Sequence, residues 1–429
     1  MNDPVQHAYE RLFDPEFGHG KPFAREPLLA ALEALGSPQA NLGAPVIHVA
    51  GTNGKGSTIA FMRAIAEAAG LRVHAFTKPH LLQLNERFVV AGETVSDEAL
   101  IDAAQRVHSV GPQLSQFDAQ VAAAFLLFDE TRADVVLLEA GMGGRDDSTN
   151  VVPWPAITVI TPVALDHQDA LGASLTEVAV HKAGIIKRAS PAVIADQEGA
   201  AREVIEEYAE EIGAPLYRRG VEWDAYASNG RLIVQTEARA LDLPLPSLYG
   251  AHQIDNAGLA CAALLAPWRY DFSDEAFAAG VANARWPARL QPLTRGPFSA
   301  PIRATGGEVW VDGGHNAHAA QALARALKQM KARRVGENVV IVGLRKRKDT
   351  EAFVEAIGAG ADRIIAVPLA EEHAAPEEIA QLASKRGVAA QTAPSLEAAM
   401  QNAAQSPAPR VLICGSFLLA VEALALESA

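Results

Sequence analysis

The stretch Val46-Ile47-His48-Val49-Ala50-Gly51-Thr52-Asn53-Gly54-Lys55-Gly56-Ser57-Thr58 constrains this chain more than any other. An apolar, β-branched run stops at Gly51, a loop of small residues holds one lysine, and an Ala-rich helical pattern follows. Strand, glycine loop and helix together make a phosphate cradle. Glycines let the backbone approach an anion, amide hydrogens point inward, the helix N-terminus adds positive potential, and the lysine meets the outer phosphates. The standard pattern G-x-x-x-x-G-K-S/T is not matched, since Val49 stands at the first glycine and Gly56 at the final hydroxyl residue. The plain alternative is a tight turn with a solvated lysine. The flanking strand and helix signals favour a nucleotide site.

At 429 residues the chain exceeds one ordinary core, which predicts two domains. Apolar content of 49% with only 6% aromatic residues reads as globular, built of Ala-rich helices and aliphatic strands. A net charge of −14 argues against a nucleic-acid or anionic-membrane partner, while a local cationic cleft still admits an anionic substrate. Cys261 and Cys414 lie in apolar runs and read as buried free thiols, which suits a reducing cytoplasm. Met1-Asn2-Asp3-Pro4 lacks the features of a signal peptide, and the apolar run 411–421 is too short to span a bilayer. The expectation is a soluble cytoplasmic protein.

Helical spacing covers 5–13 and 27–35, separated by a Gly/Pro-punctuated loop from Asp14 to Arg25. Beyond the phosphate loop and its helix (57–69), strand-like runs occur at 73–77, 135–140, 157–162 and 192–195. Helical patterns at 97–109, 117–131, 174–182 and 200–211 separate most of them. Strands alternating with helices predict a mostly parallel sheet covered on both faces. Residues 221–250 read as a small antiparallel appendage, and 251–284 as a helical block. After the Pro-bracketed bend Arg285-Trp286-Pro287-Ala288-Arg289-Leu290-Gln291-Pro292, strands at 309–312, 339–343, 364–368 and 411–414 predict a second α/β unit. The predicted division is 1–287 and 288–429.

Several strand ends carry chemistry. Glu139, at the carboxyl end of an apolar strand, is placed where ligands of doubly wound sheets bind and where a carboxylate holds Mg²⁺ beside phosphates. The alternative is a solvated loop acid. The following Gly141-Met142-Gly143-Gly144-Arg145 run lets backbone and guanidinium approach an anion. His167, between Asp166 and Asp169, reads as a metal ligand, an acid/base group or part of a polar loop. Lys182, taken alone, reads as the solvated face of a helix that ends at Gly184. Asp312, at the end of a second strand with Gly313-Gly314-His315-Asn316 after it, reads as a ribose ligand or a turn residue. Arg289, on the bend, reaches a γ-phosphate when the domains close, or forms a salt bridge. Arg345-Lys346-Arg347-Lys348 reads as a solvated basic turn, with a cleft-facing placement as the alternative.

Together these stretches resemble the folylpolyglutamate synthase/dihydrofolate synthase family within the ATP-dependent Mur ligases, from about residue 17 to 420. The resemblance rests on Gly51-Thr52-Asn53-Gly54-Lys55-Gly56-Ser57, Pro79-His80-Leu81 with Asn85-Glu86-Arg87, Leu138-Glu139 with Gly143-Gly144-Arg145, and Leu165-Asp166-His167. Lys182-Ala183-Gly184, Asn256, Arg289 and Asp312-Gly313-Gly314-His315-Asn316 complete it. Only about 50 residues precede the phosphate loop, too few for the nucleotide-sugar domain of cell-wall Mur ligases. The implied fold is α/β: a P-loop sheet domain of the Mur-ligase central type and a smaller C-terminal Rossmann-like domain, with the active site in the cleft between them.

The resemblance implies a ligase that joins L-glutamate to dihydropteroate and to reduced folates. ATP makes an acyl phosphate, the glutamate amine attacks it and phosphate leaves. It implies that Thr52, Asn53, Gly54, Lys55, Gly56 and Ser57 hold phosphates and that Asn256, Arg289 and Asp312 contact ATP. Glu139, His167, Ser57 and a carbamoylated Lys182 would serve one or two Mg²⁺ ions. Ser115, Gln116, Phe117, Asp118, Asp146, Asp147 and Ser148 would bind the pterin, under a loop before residue 25 that closes over it. Lys55, Lys182, His167, Arg289 and His315 are the catalytic candidates, a K⁺ requirement is left open, and a monomer is implied. Departures from the family pattern are Lys78 for a metal-binding serine, Asp118 and His181 for glutamates, Ala288 for a glycine, and the basic Arg345-Lys346-Arg347 turn. The rivals are a folate-only polyglutamylase, another Mur-type ligase, and a P-loop regulatory switch.

Overall fold

Every apolar run read as a strand between residues 46 and 195 falls into one eight-stranded sheet. The computed structural model describes residues 3–14 and 25–429, so most of the loop expected to close over the pterin lies outside the described residues. The chain divides into two compact units, Met1–Ser247 with Ile254–Arg285, and Leu248–Gln253 with Trp286–Ala429.

In the first unit, β1 (Val46–Ala50), β2 (Val73–Phe76), β3 (Phe88–Val90), β4 (Glu93–Thr94), β5 (Val135–Glu139), β6 (Ile157–Ile160), β7 (Ala192–Ile194) and β8 (Leu216–Arg218) line up in the order β4-β3-β2-β5-β1-β6-β7-β8. Pairing is parallel from β2 to β8, and β3 and β4 add an antiparallel edge. β1 leads towards β2 and β6 towards β7, so these neighbours send their chains in opposite directions. Ligands of doubly wound sheets bind at such a switch point, outside the carboxyl ends of the strands. Val136 and Leu138 of β5 join Val5, Leu100 and Phe125 in one apolar cluster, while Ile160 and Ile194 join Val178 and Ile205 in another. Helix Lys55–Ala68 packs against helix Asp274–Asn283 nearly backbone to backbone, for a Cβ on Gly280 would lie 2.4 Å from Ile65 Cα.

The expected appendage is the antiparallel sheet β9 (Trp223–Ser228), β10 (Arg231–Thr236) and β11 (Ala240–Pro244). Asn229 and Gly230, both at positive φ, make the tight turn whose twist suits a two-residue hairpin.

The second unit contains β12 (Gln291–Leu293), β13 (Glu308–Val311), β14 (Asn338–Val342), β15 (Arg363–Ala366), β16 (Ala389–Thr392) and β17 (Arg410–Cys414), ordered β12-β13-β17-β14-β15-β16. Only β12 is antiparallel. Arg410, fully buried at the start of β17, donates to Asn338 Oδ1 (2.8 Å) and to the carbonyls of Arg334 (3.0 Å) and Met330 (3.2 Å), and pairs with Glu308. The basic turn is answered by an acidic loop: Arg345 meets Glu371 at 2.7 Å and Lys346 meets Glu372 at 3.1 Å. Cys261 and Cys414 are free and buried. Among the described residues no helix is long and apolar enough to cross a membrane.

Candidate active site

The loop after β1 is shaped by what it must avoid. Gly51 (φ 135°) has no room for a side chain, since a Cβ there would lie 2.0 Å from Thr161 Oγ1 and 2.7 Å from the Thr161 carbonyl oxygen. Gly54 (φ 93°) is the N-cap of helix Lys55–Ala68, and a Cβ on it would meet Asn256 Oδ1 at 2.4 Å. The helix begins two residues before the expected 57, with Thr58 N donating to Gly54 O at 2.9 Å. Lys55, Gly56 and Ser57 are therefore its first turn, where amide hydrogens are offered to an external acceptor. The loop is pinned to the segment after β6: Thr52 N donates to Pro162 O, and Thr52 Oγ1 donates to Ala164 O while accepting from Ala164 N, both at 3.0 Å. Lys55 folds over the loop, its Nζ donating to the Gly51 and Thr52 carbonyls at 3.1 and 3.2 Å.

Glu139, paired with Val49 in register, is buried at the end of β5, and its Oε2 accepts from Lys78 N at 3.0 Å. The glycine run that follows serves packing. Gly141 lies under the Phe117 ring, where a Cβ would be 2.4 Å from the ring, and Gly144 faces the His181 carbonyl, where a Cβ would be 2.7 Å away. Arg145 N donates to that same carbonyl (2.7 Å). Helix Leu175–Ala183 is thereby pressed onto the loop, and Lys182 is buried rather than on the solvated face that local spacing suggests. Burial, and then the charge of Lys55, lowers the Lys182 amine to about 7, with Asp147 and Asp166 pulling the other way.

Of the residues expected to bind the pterin, Ser115, Asp118 and Ser148 are joined by hydrogen bonds. Ser115 caps helix Gln116–Glu130, and the Asp118 carboxylate accepts from Ser115 Oγ (2.6 Å) and from Ser148 Oγ. Gln116 turns away to the Phe13 carbonyl (3.4 Å). Asp147 is held by Met142 N (2.7 Å), Thr149 N (3.0 Å) and Thr149 Oγ1 (2.6 Å). Because that hydroxyl donates to Asp147, it accepts from His48 Nε2 (2.8 Å), so His48 reaches the loop from β1 as a donor, and burial lowers it to about 4 and keeps the ring neutral. Asp146 faces outward, to Arg145 Nε (2.9 Å) and His181 Nδ1 (3.5 Å). The sequence reading gave no role to Arg87, a half-buried guanidinium that donates to His80 Nδ1 (3.0 Å) and Gln120 Oε1 (2.6 Å).

His167, at φ 53°, heads the short helix Gln168–Leu171, with its Nε2 4.0 Å from Asp166 Oδ2. Among the described residues no three His, Cys, Asp or Glu side chains form a metal-binding group. The candidate ligands are the buried Glu139 carboxylate, the His167 imidazole, the buried Ser57 hydroxyl and the buried Lys182 amine. That set suits Mg²⁺, which is held by one or two protein groups and takes its remaining oxygens from water and phosphates.

In the second unit, Asp312 is used by the backbone: Oδ2 accepts from Leu290 N (2.8 Å) and Oδ1 from Gly314 N (2.7 Å). This holds the bend at Arg289, whose neighbours Ala288 (φ 55°) and Leu290 (φ 39°) are both left-handed. The family glycine replaced by Ala288 is thus at a position where a Cβ costs about 1 kcal/mol. The Arg289 guanidinium lies 5.0 Å from the Phe417 ring centroid, and the His315 ring 5.6 Å from it. Phe417 was not anticipated, although Cys414-Gly415-Ser416 repeats the strand–glycine–cap signal.

Residues 49–264 match the model of the Mur ligase middle domain, and residues 301–417 that of the Mur ligase glutamate ligase domain. A Bacillus subtilis dihydrofolate synthase/folylpolyglutamate synthase is 38% identical over 314 residues, which cover 69% of this chain and 70% of that protein. The structure of Escherichia coli FolC in complex with DHPP and ADP superposes with a TM-score of 0.86 at 29% identity, covering 99% of this chain and 97% of that one. The Yersinia pestis bifunctional folylpolyglutamate synthase/dihydrofolate synthase complexed with AMPPNP and Mn ion gives 0.85 at 30% identity, covering 100% and 99%. With the phosphate loop, the acidic strand end and the buried lysine gathered at one sheet edge, this chain belongs to the folylpolyglutamate synthase/dihydrofolate synthase family of Mur ligases.

Proposed function

We propose that the protein is an ATP-dependent ligase that joins the amine of L-glutamate to the carboxyl group of dihydropteroate and to the γ-carboxyl of reduced folates. The observation that carries this reading is the meeting of the 51–57 loop, Glu139 and the buried Lys182 at the carboxyl ends of β1, β5 and β6. A carboxylate is a poor acyl donor. Transfer of the γ-phosphoryl group of ATP to a carboxylate oxygen makes an acyl phosphate, the glutamate amine forms the C–N bond, and phosphate leaves with the C–O bond electrons.

The first-turn amides of Lys55, Gly56 and Ser57 take the phosphates, with Thr52, Asn53, Gly54 and Asn256 shaping the cradle. Lys55 exchanges its two carbonyl acceptors for phosphate oxygens, a stronger charge-assisted bond. Glu139, His167, Ser57 and Lys182 would hold Mg²⁺, which when bound neutralises charge on the transferring phosphoryl group. An amine lowered to about 7 is partly neutral at physiological pH, the form that adds to CO₂, and its carbamate would supply an anionic oxygen ligand. Asp118, oriented by Ser115 and Ser148, accepts from the pterin, with Gln116, Phe117, Asp146 and Asp147 as its surroundings. In the second unit Arg289, Asp312 and His315 are the candidates for contacting ATP, with Asp312 holding the bend on which Arg289 lies. The enzyme works as a cytoplasmic monomer on small molecules.

The test is ADP release with dihydropteroate or tetrahydrofolate, each with and without glutamate. ADP formed with both acceptors and glutamate is expected. Release with tetrahydrofolate alone makes it a folate-only polyglutamylase, release with neither makes it another Mur-type ligase, and release without acceptor makes it a nucleotide switch.

A further inference from the structure

The sheet edge of the first unit holds an unusual density of positive charge, and residue 78 is its least expected member. Lys78 feels the charges of both Lys55 and Arg87, and Lys182 feels both Lys55 and Lys78. The opposing carboxylates are Glu139, Asp147 and Asp166, and Asp147 is already committed to Met142 N and to Thr149. Lys78 acts on Glu139 twice over: its amide donates to Glu139 Oε2 at 3.0 Å, and its side-chain charge interacts electrostatically with the same carboxylate. Its ammonium lies 5.3 Å from the Phe117 ring centroid, on a pterin-segment side chain. An ammonium has three donors and no lone pair, so residue 78 offers no side-chain ligand to a metal ion, and its charge repels one placed next to it.

We propose that the Lys78 ammonium is a resident cation of the active site that takes the place of one divalent ion, leaving a single divalent ion per bound nucleotide, on the Glu139–His167 side. The inference rests on the ATP-ligase reading above. The Lys78 ammonium supplies its charge to the anionic reactants without depending on free metal concentration. It also leaves nowhere for a second ion that needs an oxygen from residue 78.

The measurement is the number of Mn²⁺ ions bound per AMPPNP, read by electron paramagnetic resonance and by calorimetry on the full chain. The wild type is expected to bind one, Lys78→Ser two, and Lys78→Met one, held about tenfold more tightly because a like charge has gone. Two ions in the wild type, one ion in Lys78→Ser, or unchanged Mn²⁺ affinity in Lys78→Met each overturns the proposal. The wild-type count decides even where a variant does not fold. A wild type that binds AMPPNP with one Mn²⁺ but ligates no glutamate overturns the ligase reading and leaves the cation assignment standing. Failure to bind AMPPNP overturns both.

Discussion

Replacing Gly51 by alanine tests the phosphate loop at its tightest point. The new methyl carbon would start 2.0 Å from Thr161 Oγ1, and ordinary contact begins near 3.4 Å, so the loop must retreat by about 1.4 Å. Rotating Thr161 relieves only part of this, because its carbonyl oxygen lies 2.7 Å from the same point and its amide is fastened to Ala50 O (2.8 Å). At φ 135° alanine also carries backbone strain of about 1–3 kcal/mol. Misplacing a binding group by about 1 Å costs on the order of 10²-fold, so ADP and AMPPNP affinity should fall by about that factor while urea denaturation shows a loss of roughly 2 kcal/mol. Gly43→Ala is the control: Gly43 has positive φ (65°) but nothing within 4 Å of a new Cβ. It should lose about 1 kcal/mol of stability and no nucleotide affinity. Calorimetric titration of both variants decides the matter, and Gly51→Ala binding ADP within threefold of wild type refutes the cradle.

Lys182→Ala should lower turnover by about 10²–10³-fold, as loss of one electrostatic group at the reacting centre does, with partial recovery in millimolar formate or acetate; full activity without either would return Lys182 to a structural role. Arg410→Met should destabilise the second unit by about 3–5 kcal/mol in urea melts, because Asn338 Oδ1 and two carbonyls lose a buried cation; a cost under about 1 kcal/mol would refute that. Burial lowers His48 to about 4. The unfolded chain therefore takes up the proton first as pH falls, and the contribution of His48 is complete above its ordinary value near 6.5 and lost between there and about 4. The loss approaches roughly 3 kcal/mol; His48→Gln should flatten that part of the stability–pH curve, and an unaltered slope would remove His48 as its source.

The strands that local pattern revealed are the apolar ones: β1, β2, β5, β6 and β7 in the first unit, β13, β14, β15 and β17 in the second, with β7 short but fully buried. The pieces missed, β3, β4, β8 and β12, are two to three residues long at or next to sheet edges, where no full period can be read. β16 is longer, but Ala389-Ala390-Gln391-Thr392 is partly exposed and shows no alternation. The start of helix Lys55–Ala68 was placed two residues late because Gly56 is a poor helix former. Here a positive-φ Gly54 ends the loop and the chain becomes helical at once.

Site residues divide by how far their chemistry depends on a distant neighbour. The phosphate loop was legible because its strand, its glycines and its lysine are contiguous. Lys182 is singled out only by the family resemblance and not by its local pattern, for its burial is produced some forty residues upstream, where Gly144 lets the His181 carbonyl approach and Arg145 N captures it. The same glycines read from sequence as room for an anion, and the structure gives that room to a helix instead. Gly184 completes the contact from the other side, since a Cβ there would lie 2.3 Å from Arg145 Cβ. The Lys182 amine is buried in this way because small residues on two segments, Gly144 and Gly184, let the backbones approach. Lys78 follows the same logic, its place fixed by the Glu139 carboxylate that holds its amide.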